Sequence, residues 1–410
     1  MTVFERVDSF LVGNKKPADS YAIVRLWLVR GLGFVYFVAF AIIFFQGVAL
    51  WGKDGLLPIG SFVDDVVRHF DGRRAAFWNL PSLFYLGASD RLIWAMGLVG
   101  MLLAVVLMAG YANVFLLLPL WLFQLSLVNS GQLFYGYGWE TQLLELTFLT
   151  FFLVPAFDPR LKKSTAPPPR IAIWAMRWML FRLMLGAGLI KIRHDECWRD
   201  LTCLVYHYET QPIPNPLSFY YHHMPPAFHY GGCLFNHFVE LIVPFGYFGP
   251  AVVRRTAGLI TILFQCILIS SGNLAWLNWV TLVMCIPCFD DAFLSRWLGW
   301  FAFQPPVWKA SIARTVLLAG FTGAIAWLSV SPTRNLIDEN QAMNTSYSVW
   351  HLVNSYGAFG SVGRERFDVI IEATDEPEIT PDTHWRPYEF KAAPGDVTRR
   401  PPLITPYHYH

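Results

Sequence analysis

Stretches of about 20 mostly apolar residues recur along this chain, and they restrict its possible folds more than any single motif does. A helix needs about 20 such residues to cross a hydrocarbon core about 30 Å thick. Stretches of this kind occupy 31–51, 92–109, 112–129, 141–157, 171–190, 234–252, 256–272, 274–290 and 312–330. Composition agrees: 55% of the 410 residues are hydrophobic and 15% are charged, against about 25% charged in soluble domains. Too few charges remain to cover a water-facing globule, so the expected fold is an all-α polytopic membrane bundle of about nine transmembrane helices within 1–330. The first stretch is longer than the apolar segment of a cleavable leader and no small-x-small site follows it, so it is expected to stay in the mature protein. A net charge of +2 gives no reason to expect a nucleic-acid partner, and six cysteines are too few for a disulfide framework.

Basic residues in short connections are retained on the cytoplasmic side. Lys15, Lys16, Arg25 and Arg30 precede the first stretch, Arg160, Lys162, Lys163 and Arg170 separate the fourth from the fifth, Arg254 and Arg255 follow the sixth, and Arg296 and Lys309 precede the ninth. With nine spans all of these share one side, which predicts a cytoplasmic N-terminus and a noncytoplasmic C-terminus. Three segments then emerge on the far side: the loops 52–90 and 191–233 and the tail 331–410. The tail has strand-like segments at 367–373 and 385–391 between turn signals, so a small β-rich noncytoplasmic domain is expected there.

Ionisable groups inside spans are costly and face a partner or a cavity. At a rise of about 1.5 Å per residue, Arg182, Glu240 and Glu145 lie roughly 12, 9 and 6 Å below the outer ends of their spans. Lys191 sits at the mouth of the fifth span, His237 is one turn from Glu240, and Asn236, Gln265 and Asn278 lie at similar depth. These residues predict a shared polar layer, read either as an ion pair that fixes helix register or as a polar cavity open to the outside.

The 191–233 segment is the most unusual in the chain. It contains Cys197, Trp198 and Cys203, then Tyr206, His207, Tyr208 and Glu209, then a group of prolines. Six of the eleven histidines lie between His194 and His237, yet no pair has zinc-protease or zinc-finger spacing. A packed interfacial loop is therefore expected rather than a metal site. Cys197 and Cys203 are close enough to bridge, with Cys233 as a competitor. Cys285 and Cys288 have redox spacing without the strand-to-helix context of a thioredoxin fold, which leaves a structural reading. No motif calls for a cofactor.

Several of these segments resemble the lipase maturation factor family: 126–140 (SLVNSGQLFYGYGWE), 197–216 (CWRDLTCLVYHYETQPIPNP), 234–245 (LFNHFVELIVPF), 271–279 (SGNLAWLNW) and 356–364 (YGAFGSVGR). The resemblance extends from about residue 30 to residue 410. It implies a multi-pass membrane protein that acts as a folding or maturation factor, a chaperone for secreted or envelope proteins such as lipases. The implied site is the endoplasmic reticulum membrane in a eukaryote, or the inner membrane with a periplasmic tail in a bacterium. Family members continue beyond the Pro-Tyr-His-Tyr stretch at 406–409, so the tail is expected to be incomplete. Tyr356 and Phe359 are the expected client-binding residues. A shorter pattern, Gly186-Ala187-Gly188-Leu189-Ile190-Lys191 followed by Trp198, is similar to the vitamin K-dependent carboxylase-like superfamily. It implies the alternative of a membrane enzyme whose outer cavity uses Lys191 with His237.

Overall fold

The computed structural model describes residues 3–13, 20–164, 166–298 and 311–410; Lys15, Lys16 and Lys309 of the charge pattern lie outside them. The chain is mostly helical. Each of the nine apolar stretches contains helix, but among the described residues five helices are long and apolar enough to cross a bilayer: Ala22–Trp51, Asp90–Met108, Arg170–His194, Ala251–Ser271 and Ile312–Ile337. A sixth span arises if Leu277–Cys288 and Asp291–Leu298, bent by 111°, count as one.

The shortfall from nine has local causes. Val114–Ser130 has 17 residues and Trp139–Phe151 has 13, which at about 1.5 Å per residue gives roughly 26 and 20 Å. The 234–252 stretch does not continue as one helix. Pro226–His237 is α-helical, Phe238–Ile242 widens to a π turn, and Val243–Phe248 tightens to a 3-10 helix. Pro244, which lacks an N–H and clashes with the preceding turn, sits at that change of winding.

Two of the apolar helices start on side-chain acceptors. Asp291 accepts from the backbone N–H groups of Ala22, Ile23 and Val24 at 2.7, 2.8 and 3.2 Å, which anchors the first long helix. Asn113 accepts from Leu116 N at 2.9 Å. The Ala22–Trp51 and Asp90–Met108 helices pack closely along a seam of small residues: a Cβ at Gly97 would lie 2.7 Å from the backbone nitrogen of Phe44, and one at Gly33 would lie 2.9 Å from the carbonyl oxygen of Ala104. Small residues at such crossings let backbones approach, which supplies dispersion contact where lipid gives no hydrophobic driving force.

Among the described residues, strand is limited to two short antiparallel pairs. Thr345–Ser346 pairs with Asn354–Ser355 (Thr345 opposite Ser355), and Glu372–Ala373 pairs with Arg386–Pro387 (Glu372 opposite Pro387). The tail is otherwise irregular, and two parts of it lie against the helices. Asn354 and Tyr356 reach Glu145. Near the C-terminus, Asn273 accepts from the N–H groups of Ile404 and Thr405 at 3.0 and 3.2 Å and donates to the carbonyls of Pro214 and Pro402 at 3.0 and 2.8 Å.

Candidate functional site

The long Arg170–His194 helix carries both buried cations of the predicted polar layer, Arg182 and Lys191, and the structure gives each its own carboxylate. Arg182 bonds Glu145 and the carbonyl of Asn354. The other Glu145 oxygen accepts from Asn354 N at 2.9 Å, Asn354 Nδ2 at 3.2 Å and the Tyr356 hydroxyl at 2.7 Å. A buried charge pair is costly unless its remaining lone pairs are satisfied, and here the tail satisfies them. Asn354 had no sequence signal: a single Asn in a polar tail does not announce that it will enter a helical bundle.

Lys191 Nζ lies 2.6 and 2.7 Å from the two oxygens of Glu240 and 3.0 Å from Asn236 Oδ1. Asn236 Nδ2 donates to the same carboxylate at 3.0 Å. Asn236 lies near the end of the Pro226–His237 helix and Glu240 in the π turn that follows, and the bond between them shows that the change of winding keeps both partners on the same side. The Trp198 ring covers Nζ at 5.0 Å. The predicted single layer is therefore two separate networks, Glu145 with Arg182 and Glu240 with Lys191.

The Lys191 network borders a cavity of about 380 Å³, within the range of small-ligand sites. Its walls include Trp198, His207, Tyr208, Phe235, Phe264 and Tyr356, and Gln265 and Asn278 add polar groups, joined by an Asn278 Nδ2 to Gln265 Oε1 bond of 2.6 Å. Glu145, Arg182 and His237 do not line it. His237 Nε2 instead bonds the carbonyl of Trp198 at 2.9 Å, holding the chain around Trp198 to the Pro226–His237 helix. On that helix, Gly232 has Leu204 in the place of a side chain, with a Cβ 2.7 Å from Leu204 Cδ1, whereas nothing lies within 4 Å of a Cβ at Gly231, which lines the cavity.

The 191–233 segment is built around a disulfide between Cys197 and Cys203, with Cα atoms 4.8 Å apart. Asp195 caps the short Glu196–Arg199 helix through Cys197 N at 3.0 Å. Asp195, Cys197 and Cys203 bring potential ligand atoms together, but both sulfurs are bonded to each other and offer no thiolate. Cys233 is a free, buried thiol beside them. His207 is enclosed, and burial, with a smaller contribution from the Lys191 charge, pushes its pKa down to about 4. Tyr206 lies under the Arg364 guanidinium at 5.7 Å, and Glu209 faces His222 at 3.4 Å on the surface.

Segment and tail are joined. Trp198 Nε1 donates to the Phe359 carbonyl at 2.8 Å, Val362 N donates to Asp195 Oδ2 at 3.0 Å, and the Phe359 ring meets His207 edge-on at 5.4 Å. Tyr356, expected to face a client, is buried against Glu145, and Phe359 is half-buried against the disulfide cluster. Their place in the structure is to fasten the tail. A run of exposed apolar side chains lies further on, at Phe367, Val369, Ile370 and Ile371; residues 367–373 carried a strand signal, but not one of exposure.

Residues 23–296 match the lipase maturation factor transmembrane domain and residues 352–410 the lipase maturation factor C-terminal domain. Lipase maturation factor 1 of Bos taurus is 42% identical over 96% of this chain and 74% of its own length, and that of Mus musculus is 43% identical over 96% and 75%. Lipase maturation factor 2 of Xenopus tropicalis is 32% identical over 66% of this chain and 39% of its own length. No solved structure matches. With two matched domains and relatives above 40% identity along nearly its whole length, the chain belongs to the lipase maturation factor family.

Proposed function

We propose that this protein is a membrane-embedded maturation factor that holds partly folded secreted or envelope proteins, lipases among them, on its noncytoplasmic side. In this reading the N-terminus is cytoplasmic, residues 1–330 form the membrane domain, and the 191–233 segment and the 331–410 tail meet the client. The relatives' name, lipase maturation factor, supports the role and the client class. Shorter apolar helices complete their crossings alongside longer neighbours in the bundle.

The observation that carries the client-holding part is the apolar run around Phe367, Val369, Ile370 and Ile371, which are 90, 77, 73 and 50% exposed. An exposed apolar segment next to a two-residue strand is a surface for strand addition, in which main-chain bonds give affinity and side chains add apolar contact. Tyr356 and Phe359 set its position by anchoring the chain upstream. Lys191 has its donor directions taken by Glu240 and Asn236, so it serves here as a structural cation rather than a proton acceptor.

The test is co-expression with a secreted lipase. Replacing Phe367, Val369 and Ile370 together by Ser should lower the yield of active lipase several-fold with the membrane level of the factor unchanged. Full lipase yield from that variant would remove the tail as the client surface. Loss of yield from Lys191→Arg, which keeps the charge, would favour the enzyme alternative instead.

A further inference from the structure

A second cavity, of about 800 Å³, lies between the Val114–Ser130 and Ile312–Leu328 helices. Its walls are apolar, with Leu118, Phe148, Leu317 and Leu318 along the sides. Trp350 from the tail closes one end by stacking on Trp121, ring centres 6.2 Å apart and planes 9° from parallel. From Val114 to Trp121 the helix rises about 10 Å. The Val114 end lies beside the connection to the next long helix, where Asn113 Nδ2 donates to the Phe157 carbonyl at 2.6 Å.

Two guanidinium groups converge at that end. Arg25 is buried and donates to the carbonyls of Ala166 at 3.0 Å and Leu161 at 3.5 Å, while its Nε has no partner. Arg314 donates to the next carbonyl, Pro167 O, at 2.6 Å, and is near enough to repel Arg25. Among the described residues no carboxylate is in salt-bridge contact with Arg25. Asp291, whose charge acts on it, is committed to Ser20 and to the start of the first long helix. Asp8 acts on Arg314, and one of its oxygens accepts from the Thr315 hydroxyl at 2.7 Å. The exposed Lys162 and Lys163 stand in the same connection.

A buried guanidinium without a carboxylate is expensive, and the arginine fork matches phosphate oxygens. The apolar channel leading to it opens at Leu118 and Leu317, 39 and 61% exposed. We propose that this cavity is a binding site for an anionic phospholipid of the surrounding bilayer, its phosphate at Arg25 and Arg314 and one acyl chain running from Val114 toward Trp121. The proposal does not depend on the client-holding role.

The purified full chain in neutral detergent is titrated with phosphatidylglycerol, with phosphatidylcholine and inorganic phosphate in parallel, following the thermal unfolding midpoint by tryptophan fluorescence. Phosphatidylglycerol should raise the midpoint saturably, and the other two should not. Arg314→Gln should weaken the apparent affinity about tenfold, equivalent to about 1.4 kcal/mol. Leu317→Trp, which obstructs the channel from its exposed side and keeps both arginines, should do the same. An equal rise with phosphatidylcholine, an equal rise with inorganic phosphate, or an undiminished response in either variant overturns the site.

Discussion

Lys191 and Glu240 are each other's main hydrogen-bond partners. Both are buried, and each spends nearly all of its hydrogen-bonding capacity on the other or on Asn236. Removing one partner of such a pair leaves an uncompensated charge, at a cost of about 3–5 kcal/mol, whereas replacing both with apolar groups of similar size is often close to neutral. Lys191→Met should therefore sharply lower the thermal midpoint of the purified protein, and Lys191→Met combined with Glu240→Leu should recover most of the loss. A single variant as stable as the parent would show that the pair adds nothing to the fold.

Among the elements, the contact between Ala22–Trp51 and Asp90–Met108 depends on what is missing from it. At Gly97 a Cβ would collide with the backbone of Phe44, which no side-chain rotation relieves, while at Gly320 on Ile312–Leu328 nothing lies within 4 Å. Gly97→Val should thus reduce the amount of folded protein recovered in detergent several-fold. Gly320→Ala should be neutral or slightly stabilising, since glycine inside a helix costs about 1 kcal/mol relative to alanine. Equal tolerance at the two positions, read by size-exclusion profile, would mean that the seam is not tightly packed.

For the whole molecule, the buried His207 and the half-buried His351 are among the histidines that stand where the tail meets the bundle. His207 contacts Phe359, and His351 lies between Ser346 Oγ at 2.6 Å and Asn129 Oδ1 at 2.8 Å. Burial lowers both to about 4, below the ordinary value of about 6.5. The unfolded state then binds more protons than the folded state between those values, so stability is complete above about pH 6.5 and falls as the pH drops toward about 4. The midpoint should decline across that window in the parent and decline less in a His207→Gln, His351→Gln double variant. Identical profiles would assign the acid sensitivity to other groups.

The helical membrane architecture was legible because apolar run length is a direct physical requirement of the bilayer. The number of spans was not, because Pro244 changes the winding of one stretch and the 139–151 helix is too short to cross alone. Lys191, Glu240 and Asn236 were readable as polar residues at matching depth, yet depth does not say which cation faces which carboxylate. Asn354 and Asn273 were not readable at all, since their roles arise only when distant parts of the chain come together.

The tail's hold on Glu145 has a consequence for biosynthesis. Chains are made from the N-terminus at about 5–20 residues per second, so Glu145 and Arg182 enter the membrane well before Asn354 and Tyr356 exist. During that interval the carboxylate lacks three of its hydrogen bonds, and the Trp121 ring lacks its Trp350 neighbour. Insertion of the helices and completion of these contacts are thus separate events in time, since the partners of Glu145 and Trp121 are translated later than the helices that carry them.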